Sequence, residues 1–117
     1  MGLFDRFRGR GSSAGRAGLR TDMKYLTEWT AAHHGVEAFV EPKTTVTELT
    51  VVLVAGDGEW TRRRLGSAAD ARRISERLQI PVYDVQKVGY PQRMRDFDER
   101  RRIQRRRAER DELERDR

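Results

Sequence analysis

His33 and His34 are the only histidines in the chain, and they are adjacent. On a helix, adjacent side chains diverge by roughly 100°, so this pair does not converge on one ion. A helical metal pair needs His at i and i+4, and neither neighbouring turn supplies a second one. Asp57 and Glu59 flank Gly58, and a hairpin tip accounts for them without a cation. The chain has no Cys, so it has no thiolate nucleophile, thiolate metal site or disulfide. No nucleophile–base pair can be nominated, and no catalytic residue, cofactor or metal is expected. The segment GRGSSAG at 9–15 resembles a phosphate loop only in its glycines. It lacks the Lys-Ser/Thr ending and follows no strand.

Arginine is the residue type that suggests chemistry. Trp60, Arg62, Arg63 and Arg64 lie on one strand-like segment, and strand alternation places Trp60, Arg62 and Arg64 on one face. On an open sheet, an indole beside two guanidinium groups stacks a base and holds phosphates. The competing reading is a Trp60 at the core rim, covered by arginine stems that reach to water. Arg72, Arg73 and Arg77 follow on the next helix. The C-terminal segment carries Arg100, Arg101, Arg102, Arg105, Arg106 and Arg107 about one turn apart, a density suited to phosphate forks and RNA grooves. Eight acids dilute the same segment, so a self-paired, solvated helix is the alternative. At the other end, Leu3, Phe4 and Phe7 share one face of a short turn among Arg6, Arg8 and Arg10. That pattern can dock on an anionic membrane or in a partner's groove. It does not match a myristoylation motif, which needs Ser or Thr where Arg6 stands.

Charge divides the 117 residues into three parts. Residues 1–20 carry a net +4, residues 21–92 a net −1, and residues 93–117 a net +3, within an overall +6. The expected organisation is a basic, unstructured arm at 1–20, a compact domain at 21–92 and an Arg-rich charged helix at 93–117. No apolar run approaches the ~20 residues of a membrane span, and the start lacks a signal-peptide pattern, so a cytoplasmic protein is expected.

The positioning elements follow from punctuation and period. Thr21 offers an N-cap to a helix at about 22–34 carrying Met23, Leu26 and Trp29, stopped by Gly35. Val36–Glu41 reads as a strand ended by Pro42. Val46–Ala55 is the strongest strand signal, joined through Gly56-Asp57-Gly58 to a partner strand at Glu59–Leu65. Ser67 is expected to cap a helix at about 68–78 with Ala71, Ile74 and Leu78 on its apolar side. Ile80–Val85 gives a fourth strand. Pro91 then opens a final helix that returns Met94 and Phe97 to the domain and continues solvated, with Asp96–Arg100, Asp98–Arg102, Arg107–Asp111 and Arg110–Glu114 at pairing distance. The order α-β-β-β-α-β-α predicts an α+β fold, with a small antiparallel sheet, helices on one face and the charged helix extending from the core.

Residues 26–78, including "ELTVVLVAGDGEWTRRRLGSAADARRISERL", resemble the double-stranded-RNA-binding domain in running helix, three antiparallel strands, helix. The resemblance implies that fold and an RNA partner. Two departures stand against the family's contacts. Ala68, Ala69 and Asp70 occupy the place of its second-helix lysines, and "EPKTTVTE" has no Gly-Pro-x-His loop. The residues therefore point to a non-catalytic accessory protein on structured RNA or a ribonucleoprotein. The phosphate contacts would come from Arg62, Arg64, Arg72, Arg73 and Arg100–Arg107, with Trp60 as stacking platform. The alternative is a protein–protein adaptor docking through the charged helix or the Leu3–Phe7 peptide, including at a membrane surface.

Overall fold

The computed structural model describes residues 20–116. The apolar start with Leu3, Phe4 and Phe7 lies outside the described residues, as does nearly all of the expected arm at 1–20.

Helix α1 spans Met23–Ala31. Its cap is Asp22, whose side chain accepts from the Tyr25 N–H, in place of the expected Thr21. Thr21 is held elsewhere: its hydroxyl donates to Asp70 Oδ2 at 2.6 Å and accepts from the Gly66 N–H at 2.8 Å. Gly35 takes φ +64 after the helix, a left-handed conformation that suits glycine. The chain end of α1 is pinned to the hairpin by a bond from Gly56 N to His34 O at 2.7 Å.

Strands β1 (Glu37–Glu41), β2 (Thr50–Val54), β3 (Trp60–Arg64) and β4 (Val82–Asp84) form one sheet in the order β3-β2-β1-β4. The α+β class and the order of elements hold, but the sheet is mixed. β1–β2 and β2–β3 are antiparallel, whereas β4 joins β1 in parallel. The reason is the crossover: helix α2, Ala69–Leu78, carries the chain from the β3 edge to the far edge, and a helical crossover delivers parallel strands. The Gly56–Gly58 turn forms as expected, with Gly58 N bonded to Ala55 O and Ala55 N to Glu59 O. β2 is shorter than its sequence signal. Thr44 draws the preceding residues into a turn, its hydroxyl accepting from the Val46 and Thr47 N–H groups, and leaves Val46 89% exposed.

The four residues Val51–Val54 are all buried, so β2 is covered on both sides. Val51 and Leu53 join Leu26, Ala38, Leu65 and Ile74 beneath α1 and α2. Val52 and Val54 join Phe39 and Met94, with Trp60, Val85 and Tyr90 around them. That second layer is supplied by helix α4, Gln92–Arg115, which starts after Pro91 as expected. Thus α1 and α2 share one face, and the root of the C-terminal helix closes part of the other. Two local expectations are corrected. Ser67 makes no side-chain cap on α2; Asp70, 7% exposed, reaches back to accept the Ser67 N–H at 3.1 Å. A short helix α3, Val85–Val88, follows β4, started by Asp84 accepting from Gln86 N. Among the described residues no helix is long and apolar enough to cross a membrane.

Candidate functional site

The face of the sheet beneath α4 is divided. At its hairpin end, Arg93 donates from Nε to Ala55 O at 2.9 Å and from Nη2 to Glu37 Oε1 at 2.6 Å. Trp60 Nε1 donates to Asp98 Oδ1 at 2.9 Å, and Arg100 Nη2 to Asp57 O at 2.9 Å. At the opposite end α4 is absent, and a cleft of about 430 Å³ opens over the strands. Glu41, Thr50 and Arg62 line it from the sheet, Pro42, Thr47 and Glu48 from the β1–β2 loop, and Val85, Gln86 and Tyr90 from the segment before α4.

Strand register brings three of these together. Glu41 pairs with Thr50 across β1–β2, and Arg62 sits on the neighbouring strand opposite Val52. Arg62 donates from Nε to Glu41 Oε1 at 2.8 Å and from Nη2 to Oε2 at 3.0 Å, a two-point fork. The Thr50 hydroxyl donates to Oε1 at 2.6 Å, and the Tyr90 hydroxyl donates to Oε2. Burial works to raise the Glu41 pKa, but hydrogen bonds from Arg62, Thr50 and Tyr90, with the Arg62 charge, overcome it and hold the group at about 2. The carboxylate in turn, with burial, pushes the Tyr90 phenol above its ordinary value. Glu41 therefore stays ionised and fully bonded, and it fixes the orientation of Arg62. The Arg62 side chain keeps 44% exposure, and the fork takes only two of its five N–H donors.

The arginines singled out in the sequence do not form one surface. Trp60 and Arg62 do share a face with Arg64, opposite Val54, Val52 and Thr50. Trp60, however, is half-buried in the second layer, bonded to Asp98 and with the Arg62 guanidinium 5.2 Å from its ring. Trp60 thus packs at the rim of the second layer, with part of its ring still exposed. Arg63 points to the other face, 3.6 Å over the Tyr25 ring, where Tyr25 and Thr61 share a hydrogen bond at 2.8 Å. Arg72 and Arg73 belong to α2 and lie on the α1/α2 side, separated from Arg62 and Arg64 by the sheet; Arg73 pairs with Asp70 at 3.0 Å.

The remaining arginines stand on α4. Arg100 and Arg101 lie 5.8 and 5.6 Å from the Phe97 ring, and Arg102 pairs with Glu99. The expected Asp96–Arg100 and Asp98–Arg102 pairs give way to other partners, because Asp96 accepts from Gln92 and Asp98 from Trp60. Arg105, Arg106 and Arg107 are exposed.

His33 stacks on Trp29 at 3.7 Å, with Nδ1 2.6 Å from Trp29 O and Nε2 3.3 Å from Glu59. Among the described residues no group of three or more metal-ligating side chains gathers. Sequence reasoning missed Glu41, Thr50, Glu48 and Tyr90. Its one usable signal was alternation, which puts Glu41 on the Phe39 side of β1; the partner strand and register were needed to bring Arg62 beside it. No family model, curated protein or solved structure matches the chain.

Proposed function

We propose that this is a non-catalytic accessory protein that binds structured RNA, free or in a ribonucleoprotein, through the exposed part of α4. The observation that carries this reading is the run Arg100–Arg107, which holds six arginines and no acid. Among the described residues, it lies at and beyond the last hydrogen bond between α4 and the body, from Arg100 to Asp57 O. Successive residues step by about 100°, so the six guanidinium groups radiate around the helix and along roughly 10 Å of its axis. A groove with phosphates on both walls engages such a collar more fully than a flat surface does. Arg101, Arg102, Arg105, Arg106 and Arg107 make the main contacts, and Arg100 roots the collar on the hairpin. The sheet contributes less than its composition suggests, because Trp60 is packed and Arg62 is held by Glu41. Glu41 itself takes four hydrogen bonds, which suits it to holding Arg62 in place and not to transferring a proton.

The test is fluorescence anisotropy with a labelled bulged RNA hairpin and a matched DNA duplex across a salt series. The native chain should bind the RNA more tightly. Replacing Arg105, Arg106 and Arg107 together by Gln should lower the slope of log K against log salt by about 2–3. No binding of either nucleic acid at physiological salt would overturn the reading and leave a protein-docking helix in its place.

A further inference from the structure

We propose that the cleft over Glu41 and Arg62 is a binding site for a small zwitterion, a free α-amino acid or dipeptide, with carboxylate on Arg62 and ammonium on Glu48. The inference is independent of the RNA reading, since the cleft lies at the end of the sheet away from the α4 arginines.

Four features of the cleft support it. First, the volume of about 430 Å³ falls within the usual range for small-ligand sites, about 300–1,000 Å³. Second, one cation in it is pre-oriented. The Glu41 fork fixes the Arg62 plane, and three of its five N–H donors stay outside that fork, enough for a carboxylate to be received without reorganising the side chain. Third, the two acids of the cleft have different roles. Glu41 already accepts from Arg62 twice, Thr50 and Tyr90, so it has no oxygen ready for an incoming cation. Glu48, exposed on the loop and lining the same cleft, makes no hydrogen bond or ion pair to a described residue. A dianion such as phosphate would meet Glu48 as a like charge, whereas an ammonium–carboxylate ligand satisfies both ends. Fourth, Pro42 and Val85 provide apolar wall for a side chain, and Gln86 a neutral amide beside it.

The experiment is an amide NMR titration of the full chain with L-leucine and L-leucyl-L-alanine, beside N-acetyl-L-leucine and L-leucinamide, each of which lacks one charge. Shifts should concentrate at residues 41–50, 62, 86 and 90, with both blocked compounds weaker by about tenfold or more. The preferred zwitterion, amino acid or dipeptide, reports the spacing between the two charged ends. Glu48→Gln, an exposed loop substitution whose folding the same spectrum verifies, should weaken leucine about tenfold and leave N-acetyl-L-leucine unchanged. Two outcomes overturn the proposal: no shift at these residues up to about 10 mM zwitterion, which would fill most of a ~1 mM site, or equal binding by the blocked and unblocked compounds.

Discussion

Gly58 lies so close beneath Arg93 that a Cβ built on it would stand 2.0 Å from the Arg93 carbonyl oxygen and 2.9 Å from the Phe97 Cβ. The hairpin tip is thus the seat on which α4 rests, and only a residue without a side chain fits there. Gly58 also takes φ +96, outside the comfortable range of other residues. Gly58→Ala should therefore cost at least ~2 kcal/mol, through strain and displacement of the helix together. Urea denaturation followed by circular dichroism measures it. A change under ~0.5 kcal/mol would mean that α4 does not rest on this turn.

The Trp60–Asp98 bond is the second clamp on that helix. Trp60→Phe keeps most of the packing and removes the indole N–H, so the expected loss is about 1 kcal/mol. Asp98→Ala should cost a similar amount, and the double variant no more than either alone, because both remove the same bond. Strict additivity of the two losses would show that the bond contributes nothing.

Glu41 sets an acid limit on stability. Its folded pKa of about 2 lies below the ordinary 4.5, so its contribution is fully present above about pH 4.5 and disappears as pH falls toward 2. The stability difference between the native chain and Glu41→Gln should accordingly shrink across that window, as read from urea midpoints at a series of pH values. Tyr90→Phe removes one donor to the ionised form and raises the folded Glu41 pKa toward 4.5, so the contribution is smaller and its loss is complete at a higher pH. A difference that stays flat from pH 5 to 2 would contradict the hydrogen-bonded carboxylate.

Asp70 ties the entry of α1 to the start of α2. It accepts from Thr21 and Ser67 and pairs with Arg73 while nearly buried. Asp70→Ala strands the Ser67 N–H and the Thr21 hydroxyl, at an expected cost of roughly 1–3 kcal/mol. Thr21→Val should cost less, and a cycle of the two should show coupling of ~0.5 kcal/mol or more.

The strands and the hairpin were legible because Val/Thr density and Gly-Asp-Gly turn chemistry are local signals. So was the root of α4, where Pro91, Met94 and Phe97 act within two turns. What escaped depends on pairs distant in sequence. The parallel seat of β4 is decided by where α2 sets the chain down, and Val82–Asp84 itself carries no mark of direction. The retreat of Val46 from β2 reflects a side-chain turn at Thr44 that competes with the ladder. The candidate cleft joins Glu41 to Arg62 and Tyr90, which are 21 and 49 residues away. Only Arg62 stood out in the sequence, as one surface arginine among many. The continuous Val51–Ala55 run did hold a further clue: a strand with one wet face alternates, and this one is apolar throughout, as burial on both faces requires.

Because α4 is clamped at Arg93 and Asp98, the helix behaves as a shaft keyed at one end, and the bearing of every arginine beyond the key is fixed relative to the body. One alanine inserted between Asp98 and Arg105 would turn the outer arginines by about 100° and advance them ~1.5 Å, whereas four would restore the bearing to within about 40° and advance them ~6 Å. A partner that surrounds the shaft would notice mainly the advance. One that reads a single side would lose and regain affinity with the period of the helix, so an insertion series distinguishes the two modes of engagement without knowledge of the partner's sequence.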